Sequence, residues 1–366
     1  MSSTANSVPH EDYRHLRESA AIGAIAPRQQ IAVAGPDRAT YLQGLLTNDI
    51  PALSPGTGCY SAWLTPQGRM LTDMHVLESG GMILLDVPAE TADATRERLE
   101  QFIFTEDVQV ESLAGKLTSV WIHGPKAPAV VGRVLLDAPG RSDQPSLASG
   151  ELRRSAVALA KAERTGPTGL AAWRDYQHAP LQFRGQPVSV ARIDQLGVPG
   201  FCVHLEPSRE RDLIGALTEA GAREVSREAL EAARIEAGYP IFGVDMTDDT
   251  IPLEAGIEDR AISMSKGCYV GQEVIIRVLH RGHGRVARKL VSLRIAGLVP
   301  ERGARLFAAD RDVGFVTSAA ASPRLGTVAM GYVHRDFVAT GTTIEVVADS
   351  GRVPATVTER AILSGA

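Results

Sequence analysis

Apolar and polar positions alternate along the first third of the chain in a way that sorts strands from helices. Gln30-Ile-Ala-Val-Ala34 is a short apolar run suited to a strand, and Gly35-Pro36-Asp37 punctuates it. Asp37 can cap a helix running towards Thr47, along which Tyr41, Leu42, Leu45 and Leu46 make one apolar stripe. Cys59–Leu64 and Met70–Leu77 flank Thr65-Pro66-Gln67-Gly68-Arg69, where Pro and Gly supply turn geometry, so this stretch is predicted to be a hairpin. Met82–Val87 reads as a third strand. Pro88 opens a helix to about Phe104 with Leu99, Phe102 and Ile103 inward, and a weaker strand follows at Val108–Ser112.

A similar order recurs later. Val188–Ile193 and Phe201–Leu205 flank Gly197-Val-Pro-Gly200, and Ser208 opens a helix whose Leu213, Ile214 and Leu217 share a face up to Gly221. Two β-β-α units predict a pseudo-duplicated α+β core. Residues 138–169 between them, rich in Pro, Gly and Ser, are predicted to be a surface excursion. A further capped helix spans Ser226 to Ala237 and ends at Gly238. Beyond about Gly284 the pattern changes to short β-rich runs: Lys289–Ile295, Gly303–Ala308, Val313–Thr317, Val328–Val333, Thr343–Val347 and Val353–Thr358. These predict a small all-β barrel or sandwich, with the Pro354 run at an edge because proline cannot donate to a ladder. The division expected is a disordered lead-in at 1–27, an α+β region at 28–283 and a β-barrel at 284–366.

Composition narrows the class. With 366 residues and 44% hydrophobic content, wholesale disorder is excluded, and no apolar run approaches the roughly 20 residues of a membrane-spanning helix. A net charge of -5 gives no general nucleic-acid footprint. The three cysteines, Cys59, Cys202 and Cys268, form no Cys-x-x-Cys pair. That argues against a disulfide framework and for a reducing, cytoplasmic setting. The start of the chain has no apolar signal-peptide core and carries Glu11, Asp12 and Glu18, which argues against an export or transit segment.

Candidate chemistry concentrates between Arg234 and Arg285. Only a thiolate is a good nucleophile, and Lys266, two residues from Cys268, could lower its pKa while Gly267 and Gly271 bring it to the surface. The alternative is a small buried hydrophobe, which is also the reading given to Cys59 and Cys202. His280 and His283 lack a third ligand at a recognisable spacing and read as a solvated loop, so no metal site is expected. Arg277, Arg281, Arg285 and Arg288 form a basic cluster that could hold a phosphate, a folate glutamate tail or RNA, or simply guard a strand edge.

Lys266-Gly-Cys-Tyr-Val-Gly-Gln-Glu273 resembles the signature of the YgfZ family, folate-binding proteins of iron–sulfur cluster assembly. Tyr41-Leu-Gln-Gly-Leu-Leu-Thr-Asn-Asp49, Gly68-Arg69 and Arg281-Gly282 are similar as well. That family shares its fold with the T-protein of glycine cleavage, a tetrahydrofolate-dependent aminomethyltransferase. Arg234-x-Glu236-x-Gly238, Gly243, Asp245 and Pro252-x-Glu254 resemble both families. The resemblance implies a GcvT-like α+β fold, a pseudo-duplicated core around a folate cavity with a C-terminal β-barrel. It implies tetrahydrofolate or a derivative as cofactor, with Cys268 and Lys266 reactive and Arg234, Glu254, Tyr269, Gln272, Glu273 and Arg277 binding folate.

The function so implied is assembly, maintenance or repair of [4Fe–4S] proteins. Its partners would be radical-SAM and tRNA-modifying clients and the cluster-assembly machinery, with tRNA as an optional further one and no membrane. A second reading is a true aminomethyltransferase. Against it, T-proteins carry an acid pair where Thr72-Asp73 stands, an acid where Cys268 stands, and a pterin-binding acid in the turn written here Gly197-Val-Pro-Gly-Phe-Cys202. A third is a folate-dependent RNA-binding module resting on the basic cluster.

Overall fold

The computed structural model describes residues 10–135, 167–281, 285–297, 299–348 and 351–360. In chain order it begins with α1 (His10–Glu18), β1 (Ala21–Ile22), β2 (Arg28–Ala34) and α2 (Arg38–Leu45). Then come β3 (Thr57–Leu64), β4 (Met70–Glu78), β5 (Met82–Pro88), α3 (Ala92–Gln101), β6 (Gln109–Ser112), β7 (Thr118–His123) and α4 (Ala127–Val134). The second half runs β8 (His178–Phe183), β9 (Gln186–Arg192), β10 (Gly200–Leu205), α5 (Glu210–Glu219), β11 (Arg223–Glu224) and α6 (Arg227–Ala237). Three short helices, α7 (Pro252–Ala255), α8 (Glu258–Ala261) and α9 (Gln272–Ile276), lead to six strands. These are β12 (Arg288–Ile295), β13 (Arg305–Ala308), β14 (Arg311–Ser322), β15 (Gly326–His334), β16 (Thr343–Ala348) and β17 (Gly351–Thr358).

The expected duplication is present. β3, β4 and β5 followed by α3 are echoed by β8, β9 and β10 followed by α5. They sit in a five-stranded sheet ordered β3-β4-β5-β2-β6 and a six-stranded one ordered β11-β1-β7-β10-β9-β8. The apolar faces of both sheets and the segment after α6 share one core, which includes Tyr60, Leu64, Trp121, Cys202, Phe242 and Tyr269. The predicted excursion at 138–169 falls almost wholly outside the described residues.

Three expectations are corrected. From His10 onward the lead-in is ordered: α1 buries Tyr13 and Leu16, and β1 joins the second sheet beside β7 and β11. The reason is an acid at its landing point, since Glu236 accepts from Tyr13 OH at 2.7 Å and from Arg17 at 2.6 Å. The Pro354 strand is not an edge either, because the barrel closes in the order β12-β15-β14-β13-β16-β17. Pro354 contributes only an acceptor, to the Ala296 N–H at 2.9 Å, and pairing with β12 starts one residue later at Ala355. Asp37 also departs from expectation. It stands at the start of α2, yet its carboxylate accepts from the Asp107 N–H and so ties α2 to the loop before β6.

The capped helix α6 matches its pattern. Ser226 Oγ accepts from the Ala229 N–H, and Gly238 closes the far end at φ 70°, where only glycine is unstrained. Its face carrying Ala229, Ala232 and Ile235 packs on Leu290, Val328 and Met330 of the barrel. Arg234 on this helix is fully buried. It bonds Asp245 at 2.7 Å, the Tyr239 carbonyl at 2.8 Å, and Glu231. Asp245 in turn accepts from Thr317 Oγ1 at 2.6 Å and Ser318 Oγ at 2.7 Å on β14. Arg234 is therefore a strut between helix, loop and barrel. Arg234→Met, which leaves Asp245 buried without its counter-charge, is expected to cost about 3–5 kcal/mol in urea unfolding. Adding Asp245→Asn should recover part of that loss.

Candidate functional site

The Lys266–Glu273 segment is a clamp in this structure. Lys266 Nζ donates to the carbonyls of Gln43 (2.8 Å), Leu46 (2.5 Å) and Asn48 (2.8 Å), at and just past the C-terminal end of α2. These are acceptors that a helix end leaves unpaired, and a cation suits them. Burial pushes the ammonium down to about 8, and it also lies 5.1 Å from the centre of the Tyr269 ring. Gly271, at φ 85°, lets the chain press on the β3–β4 turn, where a Cβ would come within 2.5 Å of the Thr65 carbonyl. Gly267 has no such constraint.

The other residues singled out from sequence are dispersed. Cys268 is exposed, and the Lys266 amine two residues before it spends its donors on backbone carbonyls. Tyr269 is buried in the shared core, Gln272 is half-buried, and Glu273 and Arg277 are exposed on and just after α9. Glu254 meets Arg288 at 3.3 Å, and Arg288 lies over the Tyr332 ring at 4.7 Å. Arg234 is the strut described above. Gly282, His283 and Gly284 of the basic cluster lie outside the described residues, among which no group of three metal-ligating side chains occurs.

What the fold does bring together is a polar centre between the two sheets. Arg28 on β2 bonds Asp86 on β5 at 2.6 Å and reaches Asp73 on β4 at 3.4 Å. Tyr60 OH donates to Asp73 at 2.7 Å, and Gln30 Nε2 donates to Asp86 at 2.9 Å. His75 spans from Asp86 (2.8 Å) to Tyr239 OH (3.3 Å), and Gln195 Nε2 reaches that hydroxyl at 3.4 Å. The rings of Tyr60, Trp121 and Tyr176 surround His75 at centroid distances of 6.0, 6.3 and 5.8 Å.

The electrostatics of this centre are fixed by burial and by Arg28. Burial works against charge on Asp86, but Arg28 and then His75 hold its carboxyl well below the usual range. Burial, then Arg28, lowers His75, so the imidazole is neutral. Its Nδ1–H must then donate to Asp86 and its Nε2 accept from Tyr239 OH. Burial raises Tyr60, Tyr176 and Tyr239, which keeps their hydroxyls protonated. Two buried polar atoms nearby, Gln195 Oε1 and His204 Nδ1, have no hydrogen-bond partner among the described residues. Such atoms are rare in folded proteins and call for a partner.

Sequence reasoning passed over most of these groups. The signal was there in the strands: Asp86 interrupts Met82-Ile-Leu-Leu, and His75 sits inside Met74-His-Val-Leu77. A charged or titratable residue in an otherwise apolar strand must be paired inside, which marks a buried network.

The comparisons with known proteins place this pair of sheets and its barrel in a family. Residues 2–173 and 154–266 match the GCVT N-terminal domain, and 288–363 match the glycine cleavage T-protein C-terminal barrel domain. The chain belongs to the glycine cleavage T-protein family. The aminomethyltransferase of Synechococcus elongatus (strain ATCC 33912 / PCC 7942 / FACHB-805) is 28% identical over 97% of this chain and 88% of its own length. That of Bacillus subtilis (strain 168) is 26% identical over 92% and 85%. The crystal structure of glycine cleavage system aminomethyltransferase T from Bartonella henselae superposes with a TM-score of 0.79 at 24% identity, covering 96% of this chain and 88% of that one. It supports the fold.

These relatives correct the functional expectation. They match nearly the whole chain and are named for aminomethyl transfer, so assembly or repair of [4Fe–4S] proteins, with its clients and tRNA, is set aside. The geometry agrees, because the Lys266 amine that was to activate Cys268 is held by carbonyls. Lys266→Met should strand those acceptors and cost about 2–4 kcal/mol in urea unfolding, whereas Cys268→Ser should leave the midpoint where it was. Equal stability of Lys266→Met and wild type would show that the clamp is idle.

Proposed function

We propose that this chain is a tetrahydrofolate-dependent aminomethyltransferase acting at the polar centre between its two sheets. The observation that carries this reading is Asp73, a buried carboxylate oriented by Tyr60 and Arg28 within a ring of neutral hydrogen-bonding groups. The near-complete overlap with aminomethyltransferases supports it.

The acids missing from sequence matter less in three dimensions. Thr72 Oγ1 bonds Thr91 Oγ1 at 2.8 Å, whereas Asp73 bonds Tyr60, so neighbouring positions on β4 face opposite ways. An acid at position 72 would not join Asp73. Cys268, where T-proteins have another acid, is exposed and away from the buried centre. The 266–273 segment keeps its likeness to the YgfZ signature, and we read it as the mark of that branch, serving here as a clamp.

The residues present suit a folate ring. The flat faces of Tyr60, Trp121, Tyr176 and Tyr239 match a heteroaromatic plane, and Gln195 Oε1 and His204 Nδ1 are buried polar atoms that a ring edge could satisfy. Tetrahydrofolate, when bound, would supply the amine that accepts the one-carbon unit. Asp73 would be the carboxylate available to stabilise positive charge developing on the transferred unit, and Tyr60 and Arg28 keep it from turning away. Neutral His75 holds the Tyr239 hydroxyl. The enclosing sheets exclude water, which strengthens each of these interactions.

The assay is ammonia release from an aminomethyl-lipoyl carrier protein in the presence of tetrahydrofolate. Asp73→Asn is expected to slow release about 100-fold or more while the protein stays folded, and Cys268→Ser to retain wild-type activity. No release by wild type with a competent carrier would contradict the proposal.

A further inference from the structure

Arg360 stands two residues beyond β17, where the chain leaves the barrel, yet it is buried. Its Nε and Nη2 donate to the Gly238 carbonyl at 3.2 and 2.8 Å, and its Nη1 donates to the Ala255 carbonyl at 2.6 Å. Gly238 closes α6 and Ala255 is the last residue of α7, so one guanidinium caps the C-terminal ends of two helices. Carbonyls at such ends lack intrahelical partners and carry partial negative charge, which a cation satisfies. Burial lowers this guanidinium to about 10, which still leaves it charged at neutral pH.

Both capped ends lead into the interior. Tyr239 follows Gly238, and its hydroxyl meets His75 Nε2 at 3.3 Å and Gln195 Nε2 at 3.4 Å. A short way past Ala255, Arg260 on α8 lies over the Tyr239 ring at 4.9 Å and the Tyr60 ring at 5.1 Å, and donates to Tyr176 OH at 2.9 Å. The two segments thus meet twice, once at Arg360 and once where Arg260 covers Tyr239. A guanidinium is a planar fork with donors at fixed angles, so bonding two carbonyls fixes the distance between them. The helix end also leaves room for it: at Gly238 a Cβ would come within 3.2 Å of Arg360 Cβ and Cγ.

We propose that Arg360 is a positioning residue for the polar centre: by bridging the ends of α6 and α7 it sets the Tyr239 hydroxyl against His75 and the Tyr239 ring against Arg260. Its bearing on aminomethyl transfer rests on the function proposed above. The chain beyond the barrel then acts on the reaction through backbone, by fixing where a side chain of the site begins. Small misplacements of a positioned group are enough to slow a reaction, and that is the effect assigned to loss of Arg360.

The test is NMR of the ring nitrogens in the full chain, with isotope-labelled histidine and no ligand, because the His75 Nε2 resonance reports the bond from Tyr239 OH. Tyr239→Phe, which removes the hydroxyl, identifies that resonance by moving it downfield. Arg360→Met is expected to move it the same way, and Arg360→Lys, which keeps the charge but loses the two-armed reach, to move it less. Arg324→Met, which removes an exposed partner of Glu236 on α6, should leave it in place, so that general softening is told apart from displacement of Tyr239. In the ammonia-release assay Arg360→Met should slow turnover about 10-fold, and distinctly less in the Tyr239→Phe background. An unmoved His75 resonance in folded Arg360→Met, or in Arg360→Lys should the former not fold, overturns the assignment, as does an equal shift in Arg324→Met. If wild type releases no ammonia, the proposed function falls, while the resonance still decides whether Arg360 sets Tyr239.

Discussion

Arg28 is the constraint on which the interior depends. Its guanidinium is the positive charge that lets Asp73 and Asp86 share one buried space on neighbouring strands. Without it, two carboxylates would face one another in an interior that cannot solvate them. From that pairing the rest follows. Asp86 is held ionised, so it fixes the tautomer of a neutral His75. His75 then orients Tyr239, whose ring also supports Arg260. A chain of single hydrogen bonds thereby runs from the first sheet to the segment after α6.

The 266–273 segment does a different job at the edge of this centre. Lys266 closes the end of α2 while Thr47 and Asn48 reach back to the carbonyls of Ala261 and Arg260. The two segments are zipped together through backbone acceptors. Such contacts demand an ammonium at one position and small polar side chains at two others, which is why both stretches are compositionally unusual. Cys268 lies on the outside of the zip.

The fold was largely legible in the sequence because its signals are local. Alternation marked the β3–β4 hairpin, helical spacing marked α3 and α5, and Ser226 with Gly238 marked both ends of α6. The barrel runs were also found, though Pro354 misled, since an edge rule does not hold once a sheet closes on itself. The N-terminal helix was missed because its anchor, Glu236, lies far away in sequence. The surroundings of the candidate residues were hard to read for a related reason. Proximity in the chain suggested that Lys266 serves Cys268, but a buried ammonium goes to the acceptors that need it most. The polar centre draws Arg28, Tyr60, Asp73, His75, Asp86, Trp121, Tyr176, Tyr239 and Arg260 from separate elements, and no spacing rule gathers them. Only the odd polar residue in an apolar strand gave it away.

The most direct measurement is a crystal structure of the full chain with tetrahydrofolate bound. Expected is a folate ring among Tyr60, Trp121, Tyr176 and Tyr239, within reach of Asp73. Ordered folate lodged instead at the exposed Cys268 loop, with the interior unchanged, would contradict the assignment of this centre as the working site.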